Sequence, residues 1–156
     1  MVNLERFTAM VRNKISAKSI LAYTIIKANN IWYQRRGIEQ YLNTILNSIN
    51  HNLELDRVTA SVAVVLHYTA PLNRDGTECC GRFRRTIDGN NLIIVYACDS
   101  NKVVYSGTHV FETFVHEVVH WIDFVYFDEP VGETEMHDSE FYTRCDILSK
   151  RLKGEI

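Results

Sequence analysis

The sequence predicts a single α+β domain, a small and mostly antiparallel sheet flanked by helices. Three observations predict it. Apolar residues recur at helical spacing through the first third of the chain. The middle holds three short runs rich in β-branched and aromatic residues, two of them joined by a strong turn signal. The last third holds two helical stretches separated by a polar loop.

The elements follow in order. Asn3–Trp32 reads as helical, with Phe7, Met10, Val11, Ile15, Leu21, Ile25 and Ile26 on one face. Gly37 is expected to end that region, and Ile38–Asn50 gives a second helix with Ile38, Tyr41, Leu42, Ile45, Leu46 and Ile49 at helical spacing. Val58–Tyr68 reads as a buried strand, and Pro71–Glu78 as a loop by composition. Gly81–Ile87 and Leu92–Cys98 read as a hairpin around Asp88-Gly89-Asn90-Asn91. A helix from about Thr108 to Phe127, a polar loop over Asp128–Met136 and a last helix over His137–Lys153 complete the chain. One domain over residues 1–156 thus divides into a helical part (1–52), a sheet (58–98) and a helical pair (108–153).

Composition narrows the classes. Of 156 residues, 46% are apolar, enough for a core and too many for a disordered chain. The longest apolar runs, Ser61–Leu66 and Leu92–Cys98, are far too short to span a bilayer. Met1–Ile20 carries charges throughout and no continuous apolar stretch of the kind a secretory leader needs. There is no N-x-S/T glycosylation acceptor. The expectation is an intracellular, cytoplasmic protein without a membrane anchor. Its four cysteines, Cys79, Cys80, Cys98 and Cys145, are expected to be reduced thiols; spacing alone leaves a Cys79 or Cys80 bridge to Cys98 open.

The formal net charge of −2 hides an asymmetry: +6 over residues 1–38, −1 over 39–98 and −7 over 99–156. The plain reading is solvated helix faces. The sharper one is a basic arm that meets nucleic acid or an acidic partner; a nucleic-acid-binding module using Arg35, Arg36, Arg82, Arg84 and Arg85 would show a steep salt dependence of DNA binding.

The chemistry lies in His116-Glu117-Val118-Val119-His120, an H-E-x-x-H motif. At about 100° per residue the two histidines lie roughly 40° apart on one helix face, within reach of one ion. Glu117 points to the same side, where a base can take a proton from a metal-activated water. Phe111, Phe114, Val115, Val118, Val119, Ile122 and Val125 cover the rest of the helix, which should therefore be buried. Its one polar sector holds Thr113, His116, Glu117, His120 and Asp123, a costly set to bury unless paired or metal-bound.

A catalytic zinc site takes three protein ligands and leaves one position open. Candidates for the third are Glu129, Glu133, Glu135, His137, Asp138 and Glu140, and spacing does not choose between His137 and Glu140, one helical turn apart. Asp123 is a candidate acceptor for a ligand imidazole. Tyr142, Tyr126 and His109 are candidate donors to an oxyanion.

HEVVH, a polar loop and then HDSEFYTRCDILSKRL resemble the SprT-like zinc metallopeptidases, zincins with a third His followed closely by Phe. The resemblance runs over about Val58–Leu152 and includes Gly81-Arg82, LIIVYA and VFETFVHE in order. It implies a zincin-like fold with one zinc on His116, His120 and His137, and hydrolysis of a protein or peptide by a zinc-bound water with Glu117 as general base. Asp138 stands where that family usually has Gly, and no C-x-x-C pair encodes the zinc ribbon that often follows the family's catalytic domain. An extended substrate is expected to add to Leu92–Cys98 if that strand is an edge. The competing classes are a non-catalytic zinc module, a nucleic-acid-binding module and metal-assisted hydrolysis of a bond other than a peptide.

Overall fold

The computed structural model describes residues 2–15, 23–24, 26, 35–55, 62–87, 89–129 and 137–156. Among them are helices α1 (Leu4–Lys14), α2 (Arg35–Asn52), α3 (Gly107–Val125) and α4 (Ser139–Leu152). The strands are β1 (Val62–Thr69), β2 (Gly81–Arg85) and β3 (Asn91–Cys98). Residues 58–61 and 130–136, which carried part of the first expected strand and most of the polar loop, lie outside the described residues.

Helix α1 starts where the Asn3 side chain accepts from the Arg6 N–H at 3.0 Å. It buries Phe7, Met10 and Val11, three and four residues apart. It ends at Ile15, which is extended, so the stretch Asn3–Trp32 is not one continuous helix. Arg151 on α4 stops it, donating to the Ile15 carbonyl at 2.8 Å and the Arg12 carbonyl at 3.3 Å. Tyr23, Thr24 and Ile26 are again helical. Helix α2 begins two residues before Gly37, which sits in its first turn rather than marking a stop. Gly37 lacks the left-handed φ by which glycine ends helices. Ile38, Leu42, Ile45, Leu46 and Ile49 form the buried stripe as expected, whereas Tyr41, counted on the same face, is exposed at its margin.

The sheet departs from expectation. Its order is β1-β3-β2, with β2 antiparallel to β3 but β1 parallel to it. The sheet is therefore mixed rather than mostly antiparallel. The turn signal at 86–91 dictates only the local hairpin: Thr86 N–H donates to Asn90 O at 2.8 Å, and Gly89 takes φ +86°. Nothing in strand composition states which side or direction the earlier strand takes. With neighbours on both sides, β3 is central and almost wholly buried, as its near-continuous apolar run allows. It is not the edge to which an extended substrate was expected to add. Among the described residues the edges are β1 and β2, and β2 is the one that packs against α3.

Helix α3 packs across β3 and β2 and against α4, while α2 covers β1. The side chains of Val110, Phe111, Phe114, Val115, Val118, Val119, Trp121 and Ile122 are fully buried. The four cysteines are free thiols. No described helix is long and apolar enough to cross a membrane.

Candidate metal centre

Helix α3 begins at Ser106, whose hydroxyl accepts from His109 N–H at 3.1 Å. Its register turns His116, Glu117 and His120 away from the apolar core toward α4 and β2. Helix α4 is capped by Asp138, whose carboxylate accepts from the Phe141 N–H at 2.8 Å. His137 therefore stands just ahead of the helix rather than in its first turn.

The cap delivers His137 to the α3 histidines. His120 Nε2 lies 3.2 Å from His116 Nε2 and 3.0 Å from His137 Nε2. One ligand atom from each of the three lies within 4.8 Å of the others, close enough to hold one metal ion. Three nitrogens at about 2.05 Å from a tetrahedral ion would be about 3.3 Å apart, so the spacing fits. The protonation states fit too. Burial pushes His116 down to about 4, with His137 adding to it. Burial, then His116 and His137, push His120 down to about 3. Burial also lowers His137. All three are pushed toward the neutral form, the form in which an imidazole binds a cation.

Phe141 is a site residue that motif reading passed over. It stacks on His120 with ring centroids 4.4 Å apart and meets His116 at 4.9 Å and His137 at 5.0 Å. Almost fully buried, it is the apolar floor under all three imidazoles. Arg144 is the second omission. It donates to Asp123 Oδ2 at 2.7 Å, both side chains being buried, and its guanidinium lies 5.5 Å from the Phe141 ring centre. A signal existed for it: Arg144 falls at helical spacing among Phe141, Leu148 and Leu152, and arginine is rarely buried unless paired. Asp123 is thus committed to Arg144 rather than to a ligand imidazole. Burial raises it to about 6 against the pull of that arginine.

Glu117 is nearly buried. It lines an open cleft with the three histidines, Gly81, Arg82, Phe83, His109 and Tyr142. Strand β2 comes so close that a Cβ on Gly81 would stand 3.3 Å from Glu117 Cγ. Tyr142 is half exposed at the rim, its ring centre 6.2 Å from His116 and 6.0 Å from His137. His109 stacks on Tyr105 at 3.9 Å in the same cleft. Tyr126 instead packs on Phe127 and under Lys14. Glu140 is exposed outside the histidine cluster, Asp138 is used as a cap, and Glu129 gives its N–H to the Asp123 carbonyl at 2.9 Å. Glu133 and Glu135 lie outside the described residues. Arg35 and Arg36 open α2, which covers β1, whereas Arg82, Arg84 and Arg85 lie on β2 at the other edge of the sheet. No family model, curated protein or solved structure matches the chain.

Proposed function

We propose that the chain is a zinc-dependent metallopeptidase of SprT-like, zincin type, with His116, His120 and His137 as ligands and Glu117 as general base. The observation that carries this reading is the convergence of three neutral imidazoles beside a carboxylate at the wall of an open cleft. Zinc, when bound, supplies a Lewis acid that polarises the scissile carbonyl and acidifies a water. Glu117 receives the proton of the attacking water and delivers it to the departing amine. Its near-burial keeps competing water from the carboxylate, while the cleft leaves one side open to substrate. Tyr142 stands at the rim, where its hydroxyl can donate to the developing oxyanion. Phe141 fixes the imidazole rings by packing, and Arg144 holds α4, and so His137, against α3 through Asp123. The free thiols support a reducing, intracellular setting.

The test combines metal analysis with cleavage of an unfolded protein such as casein. The expected result is about one zinc per chain and hydrolysis that is lost in Glu117→Gln with zinc retained, a fall of roughly 10²–10⁴-fold. Cleavage at the wild-type rate in Glu117→Gln rejects the assignment of the base, and a chain that binds no zinc rejects the centre.

A further inference from the structure

Strand β2 has one strand partner among the described residues, and its other side, beside the cleft, is an edge with which no other described strand pairs. Which groups are open follows from the ladder. Cys80 O accepts from Tyr96 N–H at 3.0 Å, and Thr86 N–H donates to Asn90 O at 2.8 Å. In an antiparallel pair these bonds alternate along the strand, so the even-numbered residues spend their backbone groups on β3. Gly81, Phe83 and Arg85 present theirs to the other side, where the Gly81 carbonyl already accepts from the Cys79 thiol at 3.1 Å, so the groups left for a partner are the Gly81 N–H and those of Phe83 and Arg85.

Side chains alternate as well. Gly81, Phe83 and Arg85 face α3: a Cβ on Gly81 would meet Thr113 and Glu117, Phe83 packs at 6.0 Å from Phe124, and the Arg85 guanidinium lies 5.6 Å from the Phe124 ring centre. Arg82 and Arg84 therefore share the opposite face, about 6.6 Å apart along the strand, and both are exposed. Neither pairs with a carboxylate among the described residues; the Arg82 guanidinium reaches only Cys79 Sγ, at 3.8 Å. The nearby acids are spent elsewhere. Glu78 accepts from Tyr105 at 2.6 Å and from Ser100 at 2.7 Å, and Glu112 pairs with Lys153 at 2.6 Å.

We propose that Arg82 and Arg84 select acidic substrate: a peptide strand pairing with the open side of β2 is favoured when it carries Asp or Glu at two alternate positions, opposite these arginines. This rests on the peptidase reading, since it names the substrate class of that site. A strand added there puts every second side chain on the arginine face, with Cβ atoms about 4.5–5.5 Å from their direct neighbours, within reach of a guanidinium–carboxylate pair. The residue between the two acids faces α3, toward Phe83 and Thr113, where an apolar side chain fits. The observations favour a peptide over a nucleic acid because the backbone donors and acceptors of β2 alternate at the repeat of another β-strand.

The test is binding to the full chain carrying Glu117→Gln and loaded with zinc, by fluorescence anisotropy. The probes are labelled heptapeptides in which valine alternates with glutamate, glutamine or lysine. The glutamate peptide is expected to bind about tenfold tighter than the glutamine peptide, and the lysine peptide weakest. Arg82→Glu/Arg84→Glu inverts that order. Arg82→Gln/Arg84→Gln, the milder pair, levels it while zinc content and melting temperature stay unchanged. Equal binding of the three peptides, or a preference that survives both pairs of substitutions, overturns the proposal. So does a labelled single-stranded oligonucleotide that binds tighter than the acidic peptide with the same arginine dependence. Casein cleavage by the wild type separates the two ideas. Acid preference without any hydrolysis keeps the selection and removes the peptidase, and hydrolysis without acid preference does the reverse.

Discussion

Replacing Gly81 by alanine tests how closely β2 is fitted to α3. The new Cβ would lie 2.8 Å from Thr113 Cγ2, 2.9 Å from the Ile94 carbonyl oxygen and 3.3 Å from Glu117 Cγ. Comfortable separations between such atoms begin at about 3.5 Å, so two contacts are short by about 0.6 Å or more. Thr113 can rotate its methyl away. The Ile94 carbonyl belongs to the central strand, which is paired on both sides, and cannot follow. Either β2 lifts from α3 or α3 shifts with Glu117. The backbone of Gly81 is not left-handed, so the cost is steric alone.

Overpacking of this kind costs about 1–3 kcal/mol. At about 3 °C per kcal/mol for a chain of this size, the melting temperature should fall by roughly 3–9 °C. Displacing the base by part of an ångström should lower kcat/KM by roughly 10- to 100-fold. Zinc content should stay near wild-type level, because none of the three atoms nearest the new Cβ belongs to His116, His120 or His137. Gly37→Ala is the matched control: its Cβ meets nothing within 4 Å in the first turn of α2, so stability should hold or rise slightly. Differential scanning calorimetry, metal analysis and casein cleavage on the two variants decide the matter. Wild-type stability and activity in Gly81→Ala would refute the close fit between β2 and Glu117.

The other predictions concern the centre itself. His116→Ala, His120→Ala and His137→Ala should each strip zinc, whereas Glu140→Ala should retain it by metal analysis; the reverse order for the last two would make the third ligand a carboxylate. In the zinc-free protein, acidification should destabilise the fold. Below about pH 6.5 the unfolded chain takes up protons that His116 and His120 resist down to about 4 and about 3, so stability rises with pH across that window. Asp123, raised to about 6, works in the opposite sense between the ordinary carboxylate value and 6, one group against two. Urea unfolding at pH 7 and pH 4.5 measures the net sign, and greater stability at pH 4.5 would contradict it. Arg144→Ala should cost about 3–5 kcal/mol in the same unfolding assay, because it leaves Asp123 buried without its partner. An unchanged unfolding midpoint would show that the pair does not hold α4.

What could be read from sequence depended on the range of the forces involved. The H-E-x-x-H spacing, the apolar collar of α3 and the stripe of α2 are local periodicities, and apart from the exposed Tyr41 the stripe of α2 is buried where its period places it. The Asp88–Asn91 turn is local too. Strand order is not local, so the same residues that announced β3 as a strand could not state that β1 would lie parallel on its far side. The apolar run of β3 carried the missing hint, since a strand without polar alternation is buried on both faces and cannot be an edge. Asp123 illustrates a different gap. Its place on the polar sector of α3 was legible, but its partner sits on α4, and only the docking of the two helices separates an ion pair with Arg144 from a bond to an imidazole.

That docking also accounts for how the third ligand arrives. His137 follows a segment of seven residues outside the described set, and a loop alone would not hold an imidazole within 3.0 Å of His120. The position comes from the helix behind it. Asp138 caps α4, Phe141 packs one turn later under all three rings, and Arg144 pairs with Asp123 one turn beyond that. These residues recur every three positions, so a single face of α4 carries the cap, the floor and the anchor. Asp123 lies three residues past His120 on α3, so the ion pair fastens α4 to the same helix that bears two of the ligands. The histidine cluster is therefore set by helix packing, and substitutions at Phe141 or Arg144 should lower zinc content in metal analysis more than Asp138-sparing changes elsewhere on the exposed face of α4.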